Sequence, residues 1–233
     1  PRKLLTVWPQ KGGIGKTFVT TLLFDYLSEH GVRVKAFDLD HANSTFHRLV
    51  PEAEFIDTDV DTDKLAGLDR LVRALTDEDA DVVLADNRAT GGDKLQYYFE
   101  ENRLVSLQGE IGFALVFVVV AVDDKDAISQ VADLVDLYGD RVRWLVARNL
   151  RDGAQLAVFS QGNTRKKLLA HGAVEIDVPC LAEVTRTRLQ LANLTVARGR
   201  TSEKLHILDR SRCVRFHERM AAEFAKADSL LFS

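Results

Sequence analysis

The run Lys11-Gly12-Gly13-Ile14-Gly15-Lys16-Thr17 holds the residue types that the capture of a phosphate chain requires. Glycines, lacking Cβ, let the backbone curl until successive N–H groups point at one anion, and a helix starting there adds partial positive charge. In such a loop Lys16 reaches the terminal phosphates and the Thr17 hydroxyl ligates Mg²⁺. The flanks supply the elements that would hold it: the apolar run Leu4 to Trp8 reads as a strand. Beyond Phe18, residues Val19, Leu22, Leu23, Tyr26 and Leu27 fall on one helical face.

Carboxylates and amides at the ends of other apolar runs could complete such a site. Asp38 and Asp40 close Phe37-Asp38-Leu39-Asp40, Asp86 closes Val82 to Asp86, and Asn149 follows the run 142–147. A side-chain amide offers a donor and an acceptor to a base edge. Strands are expected near 3–8, 33–38, 53–57, 82–86, 113–122, 142–148 and 174–177. Helices are expected near 16–29, 62–76, 94–107, 125–138, 163–171, 181–194 and 203–227. Strict alternation of this kind implies an α/β fold, a mostly parallel sheet with helices on both faces. Ligands in that architecture lie at the carboxyl ends of the strands. The loop 9–17, Asp40, Asp86 and Asn149 all fall there.

The 233 residues, 46 % of them hydrophobic, suffice for one large domain spanning 1–233. Phe113 to Val122 is too short to cross a bilayer as a helix, and its β-branched content predicts a central strand buried on both faces. Cys180 and Cys213 match no metal or redox spacing, which fits a reducing, cytoplasmic setting. Leu4 to Trp8 is too short for a signal segment, and the acidic stretch Glu52 to Asp63 is expected to be a solvated loop around a short strand. Charge is unevenly spread: residues 1–140 carry 14 Lys and Arg against 26 Asp and Glu, whereas residues 141–220 carry 16 against 7. A separation of this kind can draw a polyanion to the basic face. Arg186, Arg188, Arg198, Arg200 and Arg215 are the candidates for non-specific DNA contact.

With Lys11 at its head, the loop matches the KGGxGK[ST] pattern, and the chain resembles the deviant Walker-A ATPases of the ParA/MinD class. Phe37 to Asp40 resembles that family's second-strand motif, Val82 to Asp86 its Walker-B strand, and Arg148-Asn149 its adenine-binding segment. The resemblance implies a P-loop NTPase fold binding ATP and Mg²⁺ through Lys11, Gly12, Gly13, Ile14, Gly15, Lys16, Thr17 and Phe18. It implies an ATP-dependent homodimer in which Lys11 reaches the partner's phosphates and hydrolysis is slow and stimulated by a protein partner. Asp40 would orient the attacking water beside the metal, Thr17 would bind Mg²⁺ directly, and Asp86 would hold it through water. Asn149 and the Pro179 loop would face adenine. Asp38 is expected beside Lys16, supporting the loop, on the face opposite Asp40.

Two departures narrow the branch. Asp40 is followed by His41-Ala42-Asn43-Ser44-Thr45-Phe46 rather than Pro-Gln-Gly-Asn, and Asp86 is followed by Asn87 to Gly92 without a proline. This spacing resembles plasmid-stability and conjugative-transfer ATPases more than typical partition ATPases. Two other readings compete with a DNA-partition or transfer switch. One is a MinD-like membrane-positioning ATPase, which the poorly basic tail 225–233 disfavours. The other is a metabolic P-loop enzyme that phosphorylates a small substrate.

Overall fold

A computed structural model describes residues 2–40, 44–57, 67–77, 80–87, 93–151, 153 and 155–232. In chain order the elements are β1 (Arg2–Trp8), α1 (Lys16–Glu29), β2 (Val34–Asp38), α2 (Thr45–Leu49), β3 (Glu54–Phe55), α3 (Asp69–Thr76) and β4 (Val82–Asp86). There follow α4 (Asp93–Glu101), α5 (Leu104–Ile111), β5 (Phe113–Ala121), α6 (Lys125–Tyr138), β6 (Arg143–Asn149), α7 (Ala157–Gln161), α8 (Asn163–Ala170) and β7 (Val174–Val178). The chain closes with α9 (Glu183–Ala192), α10 (Val196–Gly199), α11 (Ile207–Phe224) and α12 (Asp228–Leu231). The strands form one parallel sheet in the order β3-β2-β4-β1-β5-β6-β7.

Side chains alternate across a strand, and that period sorts the apolar residues into two cores. Leu5, Val7, Leu84, Val116, Val118, Leu145 and Ile176 face α1, α2 and α9 to α12. Leu4, Trp8, Phe37, Val83, Phe117, Val119 and Trp144 face α3 to α8. The whole of β5 is buried, as its unbroken apolar run predicts. On α11 the stripe Cys213, Phe216, Met220 and Phe224 is buried against the first core.

Several boundaries differ from the sequence reading. The helix expected over 94–107 is two helices, because Arg103 takes a left-handed φ of 51° between α4 and α5. The Asn102 backbone N–H donates to the Tyr98 carbonyl at 3.1 Å as a helical bond, and its side-chain amide donates to the same carbonyl at 3.0 Å, a local bond of the kind that competes with helix propagation. The helix expected over 203–227 begins at Ile207 and gives way to a 3₁₀ turn over Ala225–Ala227. The short helices α2, α7 and α10 were not foreseen, since four or five residues carry no readable period. The helix expected over 62–76 is described only from Asp69, and residues 58–66 of the acidic stretch lie outside the described residues.

The uneven charge binds the molecule together. Arg198 grips Glu52 at 2.6 Å, Arg200 pairs with Glu29, and Lys167 meets Asp136 at 2.5 Å, each joining the basic third to the acidic half. Asp25 on α1 belongs to the same seam. It accepts hydrogen bonds from the Thr195 hydroxyl and the Ala197 N–H, while its Oδ2 has no hydrogen-bond partner among the described residues, and burial pushes its carboxyl up to about 6.

A native pKa above the unfolded value means that the folded state holds this proton more tightly. Asp25 therefore costs nothing below about pH 4, and its penalty grows until pH passes 6. Asp25→Asn is expected to gain stability relative to the parent as pH rises from 4 to 7, by on the order of 2 kcal/mol. Urea midpoints measured across that range test it; a difference that stays flat with pH would refute the assignment.

Candidate functional site

Period two decides which polar side chains meet. Asp38, Asp86 and Asn149 share the parity of Ala36, Leu84 and Ala147, so all three emerge on the α1 face at the carboxyl ends of β2, β4 and β6. Between them lies the loop after β1. Gly13 and Gly15 adopt φ of 72° and 95°, a region that L side chains avoid. Gly15 carries a second constraint, because a Cβ there would lie 2.5 Å from Asn149 Nδ2.

The Lys16 ammonium folds back to donate to the Lys11 carbonyl at 2.6 Å. Burial lowers its pKa, opposed by the charges of Asp86 and Asp40. Behind the loop, Thr17 Oγ1 and Thr20 Oγ1 each donate to a different oxygen of Asp86 at 2.7 Å. Burial pushes the Asp86 carboxyl up to about 7 against the pull of these hydroxyls. A hydroxyl and a carboxylate on one wall are hard oxygen donors, the set that Mg²⁺ prefers. The Asp86 carboxylate is thus held by two hydroxyls of α1.

A cavity of about 550 Å³ opens over these groups. Gly13, Gly15, Lys16, Thr17 and Phe18 line it from the loop and α1, Asp40 from the end of β2, and Asn149 and Pro179 from the ends of β6 and β7. Ile14 is buried and gives its carbonyl to Asn149 Nδ2 at 2.8 Å. Asn149 thus braces the loop with one amide hydrogen, a role the sequence did not indicate. Gly12 is exposed and lies outside the cavity wall. Phe18 packs on Phe216, with ring centroids 5.7 Å apart, and so ties the loop to α11.

Two expectations about the aspartates fail. Asp38 and Asp40 lie on the same side, because positions two apart share a face in extended chain. Asp38 supports the segment after β2 rather than the loop: fully buried, it accepts the backbone N–H groups of Asp40 and His47, each at 2.9 Å. It thereby holds Asp40 at the cavity. Lys11 lies outside the cavity wall and pairs within its own chain with Asp126 at 2.8 Å and Asp124 at 3.8 Å, at the start of α6. The hydrogen bond to Asp126 raises its pKa.

Sequence reasoning missed several parts of the wall, Thr45 and Arg151 among them. Asn87, next to Asp86, is buried and lines the cavity. Glu183, Arg186, Thr187 and Gln190 line it from α9. Their i, i+3, i+4, i+7 spacing marks one polar helix face, a signal that was present in the sequence.

The basic candidates are mostly spent. Arg188 joins Arg212 on the fully buried Asp209, at 2.5 and 3.1 Å; that carboxyl is held low by Thr185 and the two guanidiniums. Arg198 and Arg200 pair with glutamates, and Arg186 faces the cavity. Tail residues Leu230 and Leu231 are buried, and Asp228 accepts the Tyr26 hydroxyl at 2.8 Å, so this tail packs on α1. No described helix is long and apolar enough to cross a membrane.

A family model for the CobQ/CobB/MinD/ParA nucleotide binding domain matches residues 5–227. The chain belongs to this family. Two Escherichia coli proteins named TraL are each 25 % identical to it. One aligns over 197 residues, covering 80 % of both chains, and the other over 225, covering 90 % of this chain and 92 % of the relative. Among solved structures, the cell division ATPase MinD of Pyrococcus furiosus superposes with a TM-score of 0.50 at 16 % identity, covering 95 % of this chain and 99 % of that one. The septum site-determining protein MinD of Pyrococcus horikoshii, solved with Mg-ADP, gives 0.53 at 16 % identity, covering 99 % of each. These likenesses give this CobQ/CobB/MinD/ParA member the P-loop NTPase fold expected from its motifs.

Proposed function

We propose that this protein is an Mg²⁺-dependent ATP hydrolase that works as a nucleotide-gated homodimer, of the plasmid-maintenance and conjugative-transfer kind. The observation that carries the reading is the single cavity in which Lys16, Thr17 and Asp40 meet above the Thr17–Asp86 pair. Phosphoryl transfer asks a protein to position a water and to neutralise charge on the phosphate oxygens, with little covalent work. Lys16 and the loop N–H groups neutralise, and Asp40 orients the water. The Thr17 hydroxyl and, through water, Asp86 would hold Mg²⁺, which would add to that neutralisation. Asn149 has a second amide hydrogen, beyond the one given to Ile14, with which to meet adenine beside Pro179.

Dimerisation enters through Lys11. To serve a partner's phosphates it leaves Asp126 and exchanges one anion for another, so assembly and nucleotide occupancy become linked. Direct DNA contact draws less support, because Arg188, Arg198 and Arg200 are already neutralised. Regulation therefore falls mainly to a protein partner.

Asp40→Ala is expected to retain ATP binding, lose turnover by about 100-fold or more, and accumulate dimer in ATP. Lys11→Ala is expected to bind ATP and fail to hydrolyse it. Nucleotide affinity, phosphate release and light scattering measured together check this. A fully active monomer at low protein concentration would overturn the dimer mechanism.

A further inference from the structure

Two stripes of exposed side chains on the C-terminal helices take no part in the cavity. On α9, Val184, Arg188 and Leu191 stand at i, i+4 and i+7, so they share one helix face. On α11, Leu208, Arg212, Arg215 and Arg219 stand at i, i+4, i+7 and i+11 and do the same. The stripes join where Arg188 and Arg212 both pair with Asp209, whose carboxylate also accepts the Thr185 hydroxyl at 2.7 Å. Beneath that junction the helices approach closely, because α10 places glycine at 199, where a Cβ would lie 2.5 Å from Leu189 and 3.1 Å from Cys213. The aliphatic members are left in water: Leu191 is 80 % exposed and Leu208 57 %. Two guanidiniums on one carboxylate leave a positive balance, and the exposed Arg215 and Arg219 extend it.

We propose that this face of α9 and α11 docks an acidic amphipathic helix of a regulatory protein partner, and that α9 relays its occupancy to the cavity. Exposed leucines framed by arginines mark an interaction surface rather than a merely solvated one. A helix with apolar residues at i, i+3 or i+4, and i+7 would cover Val184, Leu191 and Leu208, while Asp and Glu on its flanks meet the four arginines. DNA matches the charge but leaves the leucines in water, since a phosphate backbone offers them nothing. A broad anionic lipid surface would also press on the exposed Glu218, next to Arg219, which a narrow helix avoids. The relay follows from α9 itself, because one of its faces carries the docking stripe and another, with Glu183, Arg186, Thr187 and Gln190, lines the cavity. A shift of α9 on docking moves both faces, and the coupling is reciprocal. The relay rests on the nucleotide reading above; the docking face does not.

The test pans a displayed library of helix-forming peptides, about five turns long, against the full chain and measures the Kd of the enriched peptides. These are expected to carry net negative charge and an apolar period of three to four residues. In the paired variant Leu191→Ser with Leu208→Ser, and in Arg215→Glu with Arg219→Glu, their Kd is expected to rise about tenfold or more. An unchanged melting temperature would show that these exposed positions leave the fold intact. Saturating MgATP is expected to change the peptide Kd of the unaltered chain about fivefold or more. Enrichment of neutral or basic peptides, or a Kd within about twofold of the parent in either variant, would overturn the docking face. Binding of duplex DNA or of phosphatidylglycerol vesicles that both variants abolish, with no acidic peptide enriched, would overturn it in favour of that ligand. A peptide Kd indifferent to bound MgATP overturns the relay. Failure of the unaltered chain to bind MgATP removes the nucleotide reading itself, while the docking face stands or falls on the peptide result.

Discussion

Lys16→Ala is expected to weaken MgATP binding by about 100-fold, the effect of losing a charge-assisted contact in a site sheltered from water. Lys16 is buried, and among the described residues its ammonium donates to the Lys11 carbonyl at 2.6 Å. Phosphate oxygens would replace that carbonyl with an anion, strengthening the bond and offsetting the desolvation that lowers the lysine's pKa. Alanine removes the donor and leaves the loop carbonyl without its partner. Titration calorimetry with MgATP reads the result, and affinity within about threefold of the parent would refute the site as a phosphate-binding loop.

Gly15→Ala combines a backbone and a packing defect. At φ 95° an L residue is strained, by about 1–2 kcal/mol, and the new methyl would overlap the Asn149 amide 2.5 Å away. The loop can relieve this only by moving the N–H groups that cradle phosphate, so nucleotide affinity is expected to fall at least tenfold. The melting temperature should drop by about 4–8 °C, given roughly 2–4 °C per kcal/mol in a chain of this size. Adding Asn149→Ala removes the overlap but not the φ strain. The double variant should therefore recover part of the loss and show a coupling that distant sites lack. Strictly additive melting temperatures would show that Gly15 and Asn149 do not touch in solution.

Local signals made much of the fold readable from the sequence. Long apolar runs such as Phe113 to Val122 could only be buried strands, and the stripe on α11 had the helical period of a face packed on a sheet. Signals that depend on a few residues failed. Arg103 breaks a helix whose apolar period continues across it, and α2, α7 and α10 are stabilised by contacts with distant chain rather than by their own pattern.

By itself the sequence determined the tight glycine-rich turn between β1 and α1, because backbone of positive φ at positions 13 and 15 is what glycine alone adopts without strain. It also determined the strand ends at which Asp40, Asp86 and Asn149 meet the loop. The tertiary structure alone decided what each group touches. Asp38 went to the N–H groups of Asp40 and His47, Lys11 to Asp126, Asn149 to the Ile14 carbonyl, and Arg188, Arg198 and Arg200 to carboxylates far away in sequence. The physical reason is that a charged or polar group is satisfied by whichever partner the fold brings within about 3 Å, and a linear pattern does not encode that distance.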